Sequence, residues 1–182
     1  FDKAKLLFKQ GNFKKAEKYF QAASKVSYYS SLSRLYIGAI ELYELKIAQA
    51  FNTLQTVLTS NENISEAYYY LAKVFQAFDN FQESETYFKK AIVFSKNEVN
   101  RLLALEEIKG KTSESDYEGL KKYAYNSYKI RHSIPEDEKL LRRAIIARID
   151  GNYEKSIEIF NELIYLYPDY FCGYYELTRT HI

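Results

Sequence analysis

The side chains that most often do covalent or acid–base chemistry are scarce in this chain. Cys172 is the only cysteine, and the two histidines, His132 and His181, lie 49 residues apart (181 − 132). A nucleophilic thiol needs a base within hydrogen-bond reach. Cys172 and His181 fall on different faces of one short helical stretch, so no dyad is expected there. His132 closes a helical pattern, where a cationic ring suits the negative end of the helix dipole. Glu106-Glu107 and Asp137-Glu138 are carboxylate pairs, but adjacent residues of a helix do not converge on one substrate. A single cysteine excludes an internal disulfide and a cysteine-rich metal centre. No phosphate loop, dinucleotide glycine motif or zinc-ligand spacing is present. No catalytic residue, metal site or cofactor is therefore expected, and the chain reads as a non-enzyme. Asn63-Ile64-Ser65 satisfies the glycosylation rule, which matters only for a secreted eukaryotic protein.

The elements that would position any site are helices. Pro and Gly number only 2 and 6, which disfavours a turn-dense β-protein. Aromatics reach 17%, with 19 Tyr and 12 Phe, enough to dominate whatever surface they line. The 26 basic and 24 acidic residues nearly cancel, so nothing favours nucleic acid or an anionic membrane. The closest approach to a basic cluster, Arg142, Arg143 and Arg148, is flanked by acidic residues and reads as a solvated helix face. No apolar run approaches the ~20 residues of a spanning helix, so no membrane insertion is expected. The chain begins at Phe1 and ends within a helical pattern, and reads as a fragment of a longer protein. Cytoplasmic and periplasmic or envelope settings both fit. Its Lys, Ile, Asn, Phe and Tyr content suggests an AT-rich, bacterial source.

Three stretches repeat one design. Phe8 to Ala16, Gln76 to Ser84 and Arg148 to Ser156 each hold a helix end, a tight turn with Asn, an aromatic and a small residue opening a second helix. The small residue recurs at Ala16, Ala50 and Ser84, 34 apart twice (50 − 16 and 84 − 50), and more loosely at Leu120 and Ser156. Four places on stand Phe20, Leu54, Phe88 and Phe160, with Ala124 the exception. Small residues let helices approach, bulky ones fill the adjacent gap, and no hairpin can bury its apolar face alone.

This pattern resembles the tetratricopeptide repeat family over nearly the whole chain. Residues 65–98 and 137–170 fit best, with Leu71, Ala72, Phe75, Ser84 and Phe88 in the first and Leu140, Ala144, Gly151, Ser156, Phe160 and Pro168 in the second. The resemblance implies an all-α superhelical solenoid of about five hairpins plus a final single helix. The units are 1–30, 31–64, 65–98, a degenerate 99–136, 137–170 and a partial 171–182. Leu45-Lys46-Ile47 lacks the usual Gly or Asn, so a different hairpin angle is expected there. In the degenerate unit the loop Gly110–Asp116 is enlarged and Gly119 sits inside a helix, at roughly 1 kcal/mol. Ser133-Ile134-Pro135-Glu136 is a capping-box signature that restarts the pattern.

The resemblance also places ligand contacts on the first helix of each unit, along a concave face. Carried onto this sequence, the candidate partner-binding residues are Phe8, Leu35, Tyr36, Tyr43, Tyr69, Tyr70, Lys73, Leu141, Arg142, Ile145 and Arg148. Lys5, Lys9, Leu42, Gln76, Leu103, Glu107, Glu138, Tyr175 and Arg179 occupy comparable slots. A family subtype clamps a chaperone's C-terminal carboxylate with Lys, Asn and Arg. The matching positions here are Phe1, Lys5, Tyr36, Glu66 and Tyr70, and that reading fails. The expected function is a scaffold that holds a protein or peptide, an apolar strand or amphipathic helix, in an aromatic groove. Self-association into a homo-oligomer is the second expectation. A targeting arm for an enzymatic domain elsewhere is the third.

Overall fold

A computed structural model describes residues 1–62, 64–95, 98–126 and 134–181. Asn63 of the glycosylation tripeptide, His132, and Ser133 of the capping box lie outside the described residues. The described residues form eleven helices and no strand. In order they are α1 (Asp2–Lys9), α2 (Phe13–Ala23), α3 (Ser27–Tyr43), α4 (Ile47–Ser60), α5 (Glu66–Ala77) and α6 (Phe81–Phe94). There follow α7 (Glu98–Ile108), α8 (Glu114–Asn126), α9 (Glu136–Ile149), α10 (Tyr153–Leu166) and α11 (Phe171–Thr180). Each helix packs on its chain neighbour from α1 to α8, and α9 on α10 on α11. The odd-numbered α3, α5, α7 and α9 also pack in succession, so they make one inner layer of a helical repeat solenoid.

The small and large residues at repeat spacing do the packing expected of them. Ala16, Ala50, Ser84 and Ser156 are buried beside Phe20, Leu54, Phe88 and Phe160, which are almost wholly enclosed. Gly38 on α3 permits the closest approach: a Cβ there would lie 2.7 Å from Leu54 Cγ on α4. Ser156 satisfies its buried hydroxyl by donating to the Ala144 carbonyl at 2.9 Å, which pins α10 to α9. Tyr70 touches all three apolar clusters of the core and so links successive hairpins.

The turns within hairpins share one geometry. Gly11, Leu45, Asp79 and Gly151 all have left-handed φ values, of 69°, 60°, 58° and 81°. The first three are 34 residues apart (45 − 11 and 79 − 45). In each turn the next N–H reaches five residues back: Asn12 to Leu7, Lys46 to Glu41, Asn80 to Phe75 and Asn152 to Ala147, at 2.8–2.9 Å. This ladder satisfies the last helix carbonyls. The turn at Leu45, which lacks Gly or Asn, keeps the φ and hydrogen bonds of its neighbours. Asn80 and Asn152 then cap α6 and α10 by accepting from Glu83 and Lys155 N–H. The α7–α8 connection is shorter than expected, since Ser113 Oγ accepts the Asp116 N–H at 3.2 Å and α8 starts at Glu114.

Candidate functional site

The inner helices surround a cavity. Lys5, Phe8 and Lys9 of α1, Tyr36 and Tyr43 of α3, and Tyr69 and Tyr70 of α5 form one side. Val99, Asn100 and Leu103 of α7 with Glu138 and Leu141 of α9 form the other. Tyr170, Cys172, Tyr175 and Glu176, at and beyond the start of α11, close the ring. The space measures about 350 Å³. A second hollow of about 340 Å³ shares Tyr43, Tyr69, Tyr70 and Tyr175 with it and opens at the α3–α4 turn, beside Leu42, Leu45 and Ile47. The groove is thus two-lobed, with tyrosines at its waist.

Side-chain contacts close the ring between regions far apart in sequence. Phe171 lies edge-on to Phe13 at 5.3 Å between centroids and to Tyr43 at 6.0 Å. Tyr43 also meets Tyr175 at 5.8 Å and stacks on Phe13 at 5.2 Å. Gly11 is required beneath Phe171, because a Cβ there would sit 2.9 Å from its ring. Lys9 of α1 pairs with Asp137 of α9 at 3.0 Å.

A charge network anchors α11 from below. Arg148 Nε and Nη2 donate to the two Glu106 carboxylate oxygens at 2.5 and 2.8 Å, and Nη2 also donates to Glu176 Oε2 at 2.6 Å. Its Nη1 donates to the Glu176 carbonyl and to Thr180 Oγ1, both at 2.9 Å. All the N–H donors of this buried guanidinium are used. Arg179 donates to Glu107 at 2.8 Å, where Lys73 at 3.1 Å and Gln76 at 3.2 Å also converge. Burial alone would raise the Glu107 carboxyl, but Lys73 and Arg179 overcome it and hold the group below its ordinary value. The three cations Lys73, Arg148 and Arg179 face the three anions Glu106, Glu107 and Glu176, so the cluster is neutral.

Burial keeps the groove's hydroxyls protonated. It pushes Tyr36 up to about 12 and raises Tyr43, Tyr69, Tyr70 and Tyr170 as well. The Cys172 thiol is likewise pushed up to about 12 by burial, with Glu176 adding to the shift, so it is a poor nucleophile at neutral pH.

The candidates from sequence are distributed unevenly. Phe8, Tyr36, Tyr43, Tyr69, Tyr70 and Leu141 meet around the inner lobe, and Lys73 lines the outer one. Leu35 packs into the core with Leu54 and Leu71, and Ile145 into the core of the later hairpins. Arg142 lies 3.6 Å from Glu98, and Arg148 is consumed by the α11 network. Tyr170 and Cys172 are not among the groove candidates from sequence: the slots read on the final helix include Tyr175 and Arg179, and Cys172 is read there only as a nucleophile. Among the described residues no group of three His, Cys, Asp or Glu could hold a metal, and no helix is long and apolar enough to cross a membrane.

Two stretches match known family models. Residues 1–30 match one described as tetratricopeptide repeat, and residues 140–170 match another of the same description. No curated protein matches the chain.

Proposed function

As a tetratricopeptide repeat protein, the chain carries a kind of module that mediates protein–protein contact, and we propose that it holds an apolar or amphipathic segment of another protein in the tyrosine-lined groove. One observation carries this reading. Beside the outer lobe stands Leu45, 81% exposed and held in a left-handed conformation unfavourable to it. Leu42, Tyr43, Tyr70, Ile47 and Tyr175 surround it with apolar and aromatic surface. Aromatic anchors of this kind give large contact area at low entropic cost. Lys73 and Gln76 are tied to Glu107, so the lobe offers little free charge and suits an apolar side chain as the anchor.

The test is affinity for a partner isolated with this chain and verified by reciprocal capture. Leu45→Asp and Tyr175→Ala, both at exposed positions, should each weaken binding at least tenfold while leaving the helical content unchanged. Unchanged affinity in both variants would remove the groove from the interaction. Light scattering over a range of concentrations identifies the case in which the partner is a second copy of the chain.

A further inference from the structure

We propose that the seam between the first hairpin and α11 is a gate, where the ring of helices parts to lay open the inner lobe. The proposal rests on the groove reading above, since a gate gives a partner's segment its way in. A closed ring admits a free chain end by threading, but an internal segment only from the side.

Around the rest of the ring, neighbouring helices are held by enclosed apolar side chains, with Phe20, Leu54, Phe88 and Phe160 almost wholly buried. The seam is built otherwise. It is a boundary between two cores: Ala4, Phe8 and Phe20 belong to one, and Tyr170, with Cys172 packed nearby, to the other. Among the described residues no backbone hydrogen bond crosses it. Phe171 crosses it edge-on to Phe13 and Tyr43, and Lys9 crosses it to Asp137, a pair left 36% and 17% exposed. Edge-on rings and a partly exposed ion pair are weak contacts that re-form readily after separation. Tyr70 touches all three clusters from α5, so the cores stay joined there when the seam parts.

The seam is also thin. On its outer side lies a hollow of about 310 Å³, bordered by Leu6, Gln10, Leu166 and Pro168. Lys9 and Tyr170 line both this hollow and the inner lobe. The Lys9 ammonium lies 5.5 Å from the centre of the Tyr170 ring. Parting these two side chains joins the two spaces into one side opening. Leu6 and Leu166, 57% and 51% exposed, give its outer rim apolar surface on which an apolar segment can first settle.

Cys172, the sole cysteine, lines the lobe behind the seam and reports its opening. Its thiol stays protonated while the lobe is closed. The reagent is a maleimide on a polyethylene glycol chain too bulky for the closed lobe, applied to the full chain under native conditions. Gly11→Ala is the wedge. A Cβ there would lie 2.9 Å from the Phe171 ring and 3.3 Å from the Phe171 Cβ, so turning the ring does not relieve it and α11 must move back. Gly151→Ala is the matched control: its φ is 81° against 69° for Gly11, and nothing lies within 4 Å of the added Cβ. Both variants carry left-handed strain, and only the first presses on the seam. Gly11→Ala should be labelled about tenfold faster than Gly151→Ala, which should stay within about threefold of the parent, and the α1 and α2 amides should keep the parent's slow hydrogen exchange. Equal labelling of the two variants would overturn the gate. Rapid exchange through α1 and α2 in Gly11→Ala would also overturn it, by making the event an unfolding of the first hairpin. With a verified partner, Gly11→Ala should associate faster than the parent, and an unchanged or slower rate would overturn the seam as the way in. The labelling needs no partner: if it succeeds while Leu45→Asp and Tyr175→Ala leave affinity unchanged, the groove reading fails and the motion stands.

Discussion

Leu45, in the left-handed turn that ends α3, is a residue that neither its backbone nor its solvent exposure favours. A left-handed conformation costs a non-glycine residue about 1–2 kcal/mol, and Leu45 holds φ 60° where the equivalent turn has Gly11 at φ 69°. With 81% of its surface exposed, its side chain recovers little of that by burial. Leu45→Gly should therefore raise stability by roughly 0.5–1 kcal/mol, the relief of strain less the added chain entropy of glycine. Urea denaturation measures it. The same substitution should weaken partner binding, the expected pattern where strain is kept for function. The 34-residue register of this turn was legible in sequence. Its conformation was not, because turn preference is local, whereas the geometry here is imposed by α3 and α4 packing through Gly38 and Leu54.

At the scale of elements, Arg148 joins α9 to α7 and α11. Its neighbours Glu106 and Glu176 are fully or largely enclosed with it, at 18% and 5% side-chain exposure against 4% for Arg148. Arg148→Met leaves Glu106 and Glu176 to share the partly exposed Arg179, and should cost about 3 kcal/mol in chemical denaturation, the lower end for a broken buried pair. Lys89→Ala breaks partly exposed pairs with Glu85, four residues away on α6, and with Asp116 of α8 at 3.9 Å, and should change stability by less than about 0.5 kcal/mol. Helix positions followed from the spacing of Ala16, Ala50, Ser84 and Ser156, because a small residue at a crossing is a local steric requirement. The tyrosines Tyr36, Tyr43, Tyr69 and Tyr70 were equally legible as inner-face residues. The fate of Arg148 was hidden, because periodicity gives the face of a helix but not which distant helix will come to lie against it. Leu35 beside Tyr36 shows the same limit: a step of one residue turns a side chain from groove to core.

At the scale of the whole molecule, burial holds the groove tyrosines Tyr36, Tyr43, Tyr69, Tyr70 and Tyr170 in neutral form. Folded-state burial raises Tyr36 and Cys172 to about 12, from ordinary values of 10.0 and 9.0. A group whose folded value is raised gives stability that is complete below its unfolded value and is lost as pH rises toward the folded one. Denaturant midpoints should therefore hold steady up to about pH 9 and fall progressively from there toward pH 12, with tyrosinate absorbance lagging until the chain opens. A midpoint that stays level to pH 11 would contradict this burial. The ring contacts have a mechanical meaning as well. A stack of repeats joined only to its neighbours stretches like a spring and can lose a terminal repeat without consulting the rest. Phe13 against Phe171 and Lys9 against Asp137 fasten the first hairpin to the last. Pulled at its two ends, this coil would behave as a clasped bracelet, stiff until the clasp yields and compliant only afterwards.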